Sequence, residues 1–330
     1  MSNLVDRAGG HLWTVGPKLI ETLRPPRAPE SVSWRRRVDT RSGAPVWVTG
    51  QYRQRPASDT LVILIHGLGG CADSTYVRRA AAEVDAHGYS TLRLSLRGAP
   101  RDGEDMYHAG LVADLKAALT DSTFERYRRI WVVGFSMGGH LTLRAALDCD
   151  VDRFERAAAI CSPLDLSVAQ RNLDAPSSLV YREYILRELR AMYRDVSKRG
   201  RGTAPLTRIQ QVRSLREWDA LTVVPRWGFG TVENYYQTVS VAGDLSELER
   251  PSLLVASRGD PMVSPATIEP GLNDASAALS VAWAERGGHV YLPRSLDLGF
   301  PGGQGVIGQV LGWMYQESRN DSPHGVENKM

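Results

Sequence analysis

Side-chain chemistry in this sequence concentrates first at a serine between glycines, Gly134-Phe135-Ser136-Met137-Gly138. A serine hydroxyl is a weak nucleophile at neutral pH unless an adjacent base takes its proton. Raising that hydroxyl on a sharp turn between a strand and a helix requires neighbouring backbone to pass without a Cβ in the way, which is the use of the flanking glycines. The five-residue string alone is weak, since a chain this rich in glycine yields about 0.2 accidental matches. Its meaning comes from two residues downstream, Asp260 in Gly259-Asp260-Pro261 and His289 in Gly287-Gly288-His289. In the order Ser, Asp, His, the imidazole takes the serine proton as acyl transfer begins. The carboxylate fixes the tautomer of that imidazole and stabilises its charged form. Acyl transfer also needs amide donors for a developing oxyanion. The candidates are the backbone N–H of Leu68, in His66-Gly67-Leu68-Gly69-Gly70, and that of Met137.

The elements around these residues place them on one edge. Ile130-Trp131-Val132-Val133 is a β-branched and aromatic run leading to the serine, and Leu141, Leu143, Ala146 and Leu147 behind it suit a buried helix. Leu61-Val62-Ile63-Leu64-Ile65 is continuously apolar and ends at His66-Gly67; a strand of that kind needs cover on both faces. Further strands are expected at Trp34–Val38 and Pro45–Arg53 as a pair, and at Thr91–Ser95, Ala157–Cys161, Ser252–Ala256 and Leu279–Ala284. Helices are expected at Tyr76–His87 and Leu111–Leu119. The fold class is therefore α/β, with a mostly parallel central sheet and helices on both faces. Ser136, Asp260 and His289 each follow a strand, and parallel strands present their carboxyl ends on the same edge, so the three can converge. Asp165, after the preceding strand, is the alternative acid. His66 is the alternative base, although its place before a glycine turn suits bracing that loop. His140 lies on a helix leading away from the serine, and His108 follows a long turn-rich loop that a structural histidine would hold.

Five segments follow. Residues 1–44 form an N-terminal extension, in which Leu12, Val15, Leu19 and Leu23 recur at helical spacing and are expected to pack on the body. Residues 45–166 form the first part of the core and 249–316 the second. Between them, 167–248 loses the strand and helix alternation and reads as helices, Tyr181–Lys198, Thr207–Trp218 and Thr231–Val241, forming a lid over the sheet's carboxyl edge. Its Tyr184, Trp218, Trp227, Phe229, Tyr235 and Tyr236 either line an acyl pocket or form the lid's own core. Its basic run, Arg182, Arg187, Arg190, Arg194, Lys198 and Arg199, reads as a solvated face, with an anionic headgroup site as the alternative. Arg35-Arg36-Arg37 is read as a solvated strand edge. Residues 317–330 are expected to be a flexible tail.

Composition narrows the function classes. The 330 residues are 42% hydrophobic and 23% charged with a formal net charge of +3, too mild and too evenly spread for a nucleic-acid surface. Cys71, Cys149 and Cys161 have neither the number nor the spacing of a disulfide framework or a zinc site, which suits a reducing compartment. No apolar run approaches the ~18 residues of a membrane helix. The expected partner is a small-molecule acyl ester, with no nucleic acid and no stable membrane insertion, in the cytoplasm; the chemistry needs no metal or organic cofactor.

Taken together, the motifs resemble those of the YheT-like family of α/β-hydrolases, which includes eukaryotic membrane-associated members. The resemblance runs from Gly10-His11-Leu12-Trp13-Thr14 to about Trp313. It takes in His66-Gly67-Leu68-Gly69-Gly70, Arg97-Gly98 through Tyr107-His108-Ala109-Gly110, and Gly134 through Gly139. Further on come Glu217-Trp218-Asp219, Gly230-Thr231-Val232-Glu233-Asn234-Tyr235-Tyr236 and Gly287-Gly288-His289-Val290. Trp13 stands where the family tends to have Gln, Trp218 where it often has Phe, and Gly69 where it has Glu. The resemblance implies a serine carboxylesterase-type enzyme acting on fatty-acyl esters, here expected to be of short to medium chain. Transfer of the acyl group to an alcohol or thiol is the alternative, and a non-catalytic binding module on the same scaffold is a third reading.

Overall fold

The computed structural model describes residues 2–40 and 44–320. Helix α1 (Ser2–Leu23) leads into the antiparallel pair β1 (Val32–Val38) and β2 (Val46–Arg53). Strands and helices then alternate: β3 (Thr60–Ile65), α2 (Thr75–Ala86), β4 (Ser90–Ser95), α3 (Ala113–Leu119), β5 (Arg129–Phe135), α4 (Met137–Asp148) and β6 (Phe154–Ile160). A helical stretch interrupts them with α5 (Leu166–Asp174), α6 (Leu179–Lys198), α7 (Leu206–Gln211), α8 (Leu215–Leu221), α9 (Val223–Trp227) and α10 (Val232–Val239). The alternation resumes with β7 (Ser252–Ser257), the short α11 (Pro265–Ile268), β8 (Leu279–Ala284) and α12 (Val306–Asn320).

The strands form one eight-stranded sheet in the order β1-β2-β4-β3-β5-β6-β7-β8. From β4 to β8 every pairing is parallel, while β2 pairs antiparallel with both β1 and β4. The continuous apolar runs are explained by burial on two sides. Leu61, Ile63 and Ile65 of β3 join a core with α3, α4 and the helical stretch, whereas Val62 and Leu64 join a second core with α2 and α12. The chain enters β3, moves out to β4, then crosses back to β5 on the other side. Connections thus leave the carboxyl ends of β3 and β5 in opposite directions, opening the crevice in which open α/β sheets hold their ligands.

Edge strand β1 is mostly exposed, with Arg35 over the Trp47 ring and Arg36 paired to Asp121, in keeping with a solvated edge. Three expectations are corrected. The stripe Leu12, Val15, Leu19 and Leu23 does not pack on the body: Leu12 is 73% and Leu23 76% exposed. The opposite face, Gly10, Thr14 and Glu21, is the buried one, because this helix docks through backbone and small polar contacts. The single helix expected at Thr207–Trp218 is two, since the Ser214 side chain accepts the Glu217 N–H and caps a new start while the Glu217 carboxylate accepts the Arg213 N–H. The tail expected over 317–330 is helix over its first part, because α12 continues to Asn320; residues 321–330 lie outside the described residues.

Candidate active site

Ser136 joins β5 to α4 with φ 54° and ψ −122°, a conformation that L-residues adopt only at about 1–3 kcal/mol and only when the surroundings enforce it. Enforcement comes from both sides. Its N–H donates to the Ile160 carbonyl at 2.8 Å, and its carbonyl accepts from Gly139 at 2.9 Å and His140 at 3.1 Å. The glycines are needed for contact: a Cβ on Gly134 would fall 2.1 Å from the Gly138 carbonyl oxygen. One on Gly67 would meet the Ser136 Cβ at 3.1 Å.

The loops after β7 and β8 bring Asp260 and His289 to this turn. His289 Nε2 lies 2.8 Å from Ser136 Oγ, and His289 Nδ1 lies 2.8 Å from Asp260 Oδ2. The other carboxylate oxygen, Oδ1, accepts the N–H groups of Met262 at 2.8 Å and Val263 at 2.9 Å, which locks the acid in place. A carboxylate only accepts, so Nδ1 carries the proton and Nε2 presents its lone pair to the serine hydroxyl. Both Asp260 and His289 are buried.

The alternatives are engaged elsewhere. Asp165 caps α5, its Oδ1 accepting from Ser167 at 2.7 Å and Val168 at 3.0 Å. His66 is fully buried, with Nδ1 2.8 Å from the Gly67 carbonyl and Nε2 accepting the Leu96 N–H at 3.2 Å; burial pushes its pKa down to about 4. It braces the glycine loop as a neutral ring. His140 links α4 to the carbonyls of Pro163 at 2.9 Å and Val239 at 3.0 Å. His108 accepts the Gly110 N–H at 3.2 Å among the rings of Trp227, Phe229 and Tyr235, and burial lowers its pKa to about 3.

A model described as the alpha/beta hydrolase family matches residues 62–297, well over half the chain. The protein is an α/β-hydrolase. It is YheT-like: it is 26% identical to YheT of Escherichia coli strain K12 over 239 residues, covering 69% of each chain. It is 24% identical over 235 residues to Medium-chain fatty acid ethyl ester synthase/esterase 2 of Saccharomyces cerevisiae, covering 62% of this chain and 52% of that one. The hydrolase thus spans between half and about two thirds of the length of these relatives. Among solved structures, the Pyrococcus furiosus esterase Pf2001 superposes with a TM-score of 0.54 at 17% identity, covering 81% of this chain and 91% of that one.

In this hydrolase Ser136 and His289 open onto a cavity of about 480 Å³ between the sheet edge and the helical stretch. Leu68 and Met137 line it beside them. The amides flanking Leu68 are fixed by tyrosines that sequence reasoning did not single out: Gly67 N–H donates to the Tyr76 hydroxyl and Gly69 N–H to that of Tyr107, each at 2.8 Å. No spacing in the sequence marks Tyr76, and Tyr107 enters only within the segment Tyr107-His108-Ala109-Gly110 of the family resemblance. Of the six aromatics expected either to line a pocket or to form the lid's core, Tyr184, Trp218, Tyr235 and Tyr236 line the cavity, joined by Tyr181, while Trp227 and Phe229 pack around His108. Asp219 also lines it, accepting the Tyr236 hydroxyl at 2.7 Å, and burial raises its pKa to about 7.

The basic run on α6 is largely engaged within the chain. Arg182 donates to the Asp174 carbonyl, Lys198 pairs with Asp195 at 2.9 Å and Arg199 with Glu104 at 2.8 Å. The loop between β4 and α3 is held by the buried Arg97–Asp114 pair, and by Arg226 of α9 donating to Asp105 at 2.8 Å. The three cysteines are free thiols. Among the described residues no helix is long and apolar enough to cross a membrane, and no group of His, Cys, Asp and Glu has the arrangement of a metal site.

Proposed function

We propose that this α/β-hydrolase cleaves carboxylic esters through an acyl-enzyme on Ser136. The observation that carries the reading is the unbroken chain of 2.8 Å contacts from Asp260 through His289 to the Ser136 hydroxyl. As Oγ attacks the ester carbonyl, His289 Nε2 takes its proton, and Asp260 stabilises the imidazolium. The backbone N–H groups of Leu68 and Met137 receive the oxyanion; a donor of this kind is worth ~2.7–4 kcal/mol in comparable sites. His289 then returns the proton to the leaving alcohol, and water, activated by the same base, releases the acid.

The substrate class is a fatty-acyl ester of short to medium chain. Its support is a largely apolar lining, including Leu166, Leu173, Ile185 and Leu189, in a volume suited to a small ligand. The esterase named for the E. coli relative and the medium-chain ester of the yeast relative's name point the same way. Residues 167–248 act as the lid over this cavity, between core segments 45–166 and 249–316. Transfer of the acyl group to an alcohol is the second reading, favoured by the word synthase in the yeast relative's name.

A chain-length panel of aryl esters, run on the protein and on Ser136→Ala, tests the proposal. Turnover of short and medium chains is expected, falling on the order of 10⁶-fold in the variant. Unchanged turnover in S136A would overturn the mechanism. Product ratios with ethanol added separate hydrolysis from transfer.

A further inference from the structure

Helix α1 lies before the residues matched by the family model, yet it touches the loops of both the acid and the base. The backbone N–H of His289 donates to Thr14 Oγ1 at 2.9 Å, and the Thr14 hydroxyl donates onward to the Gly10 carbonyl at 2.8 Å. The hydroxyl has one proton and spends it on its own helix, so its lone pair is directed at the base loop. The helix seats on that loop with only the Thr14 hydroxyl between them: a Cβ on Gly288 would fall 2.3 Å from Thr14 Oγ1 and 2.5 Å from the Gly10 carbonyl oxygen. The same turn presses on the acid loop, since a Cβ on Gly10 would fall 1.7 Å from the carbonyl oxygen of Gly259, the residue before Asp260. One helical turn therefore contacts the residues that immediately precede both Asp260 and His289. Farther along, Glu21 accepts the Tyr291 hydroxyl at 3.1 Å and pairs with Arg79, which fixes the helix lengthwise.

We propose that Thr14 is a positioning residue for the reaction, its hydroxyl fixing the backbone of His289 while Gly10 lets the same turn clamp the Asp260 loop. The proposal rests on the triad reading above. Proton transfer depends on a few tenths of an ångström between Nε2 and Oγ, and a misplacement of about 1 Å costs about 10²-fold. Thr14→Val keeps the volume of the side chain but leaves the His289 N–H without its acceptor.

The test measures kcat and KM for a medium-chain aryl ester, together with thermal melting, for the full chain and for T14V, Thr14→Ser and S136A. Expected is a kcat for T14V lower by about 10- to 100-fold with KM within about 2-fold, and recovery to within about 3-fold of the parent in T14S. A folded T14V with parental kcat, or a T14S no better than T14V, overturns the positioning role while an inactive S136A leaves the triad reading standing. An active S136A instead removes the triad reading itself. Should T14V fail to fold, Thr14→Ala, which only removes atoms, carries the same expectation; failure of both to fold assigns Thr14 to the fold and overturns the proposal.

Discussion

Gly138 lies against the carbonyl oxygen of His66, 2.4 Å from where its own Cβ would be. The serine turn after β5 and the glycine loop after β3 are thus in direct backbone contact, and Gly67 of that loop faces the Ser136 side chain. Because backbone rather than a flexible side chain is in the way, Gly138→Ala has to push the two loops apart. Overpacking of this kind costs about 1–3 kcal/mol. G138A is expected to melt lower than the parent and to lose turnover at least ~10-fold, since the amides of Leu68 and Met137, the proposed oxyanion donors, belong to these two loops. Thermal melting beside ester turnover checks this, and a variant with parental activity would separate the loop contact from catalysis.

Two aspartates at adjacent strand ends make opposite predictions. Asp260 faces the His289 ring, so Asp260→Asn, which offers an amide in its place, favours the wrong tautomer and is expected to lower kcat by about 10⁴ with little change in melting. Asp165 caps a helix, so Asp165→Ala is expected to cost ~0.5–2 kcal/mol of stability and to leave kcat within about 2-fold. The reverse pattern would move the acid to the loop after β6.

The difference between those aspartates could be read from order and placement, because chemistry at the carboxyl ends of parallel strands is an arrangement the backbone imposes. The sheet was equally legible: β3, β5, β6 and β7 are buried on both faces and announce themselves as unbroken apolar runs. What the sequence hid depends on contacts without a period. Helix α1 carries a clear apolar stripe, yet docks by its Gly10 and Thr14 side, since close backbone approach selects small residues that hydropathy does not register. The break between α7 and α8 was available in Ser214-Leu215-Arg216-Glu217, where a capping pair outweighs continuing apolar spacing. Tyr76 and Tyr107 converge on neighbouring amides from different elements, and only the fold brings them there.

Asp219 gives stability a pH dependence of one sign. Burial raises its pKa from 3.8 to about 7, so the folded state holds a proton that the unfolded chain has released. Its contribution is complete below about pH 3.8 and is lost as the pH rises toward 7. Above that range the fold carries a charged carboxylate at the cavity wall with the Tyr236 hydroxyl as its hydrogen-bond donor. Asp219→Asn retains an oxygen for that hydroxyl and has no charge to desolvate. It is expected to stabilise the protein by about 1–2 kcal/mol at pH 8, allowing for water in the cavity, and not at pH 4. Urea midpoints at the two pH values check it; equal shifts at both would show that desolvation of the carboxylate is not the cause.

His66 and His108 give the opposite sign. Burial lowers their pKa values from 6.5 to about 4 and about 3, with the nearby Arg97 guanidinium adding to the effect at His108. Both are neutral in the fold, so the unfolded chain binds the extra protons first as the pH falls below 6.5. The stability they contribute is complete above that value and is lost on acidification, by about 2 kcal/mol for each ring between pH 7 and pH 5. His108→Phe keeps a ring among Trp227, Phe229 and Tyr235 but cannot titrate, at the cost of the hydrogen bond from Gly110. Its stability at pH 7 is expected to be lower than the parent's by about 1 kcal/mol, the worth of that bond. Its further loss on going to pH 5 is expected to be smaller by about 2 kcal/mol. Urea titrations of both proteins at pH 7 and pH 5 read the two effects separately. Parallel losses would mean that the His108 ring is already hydrated in the fold, and that acid acts on this protein through His66 and its carboxylates.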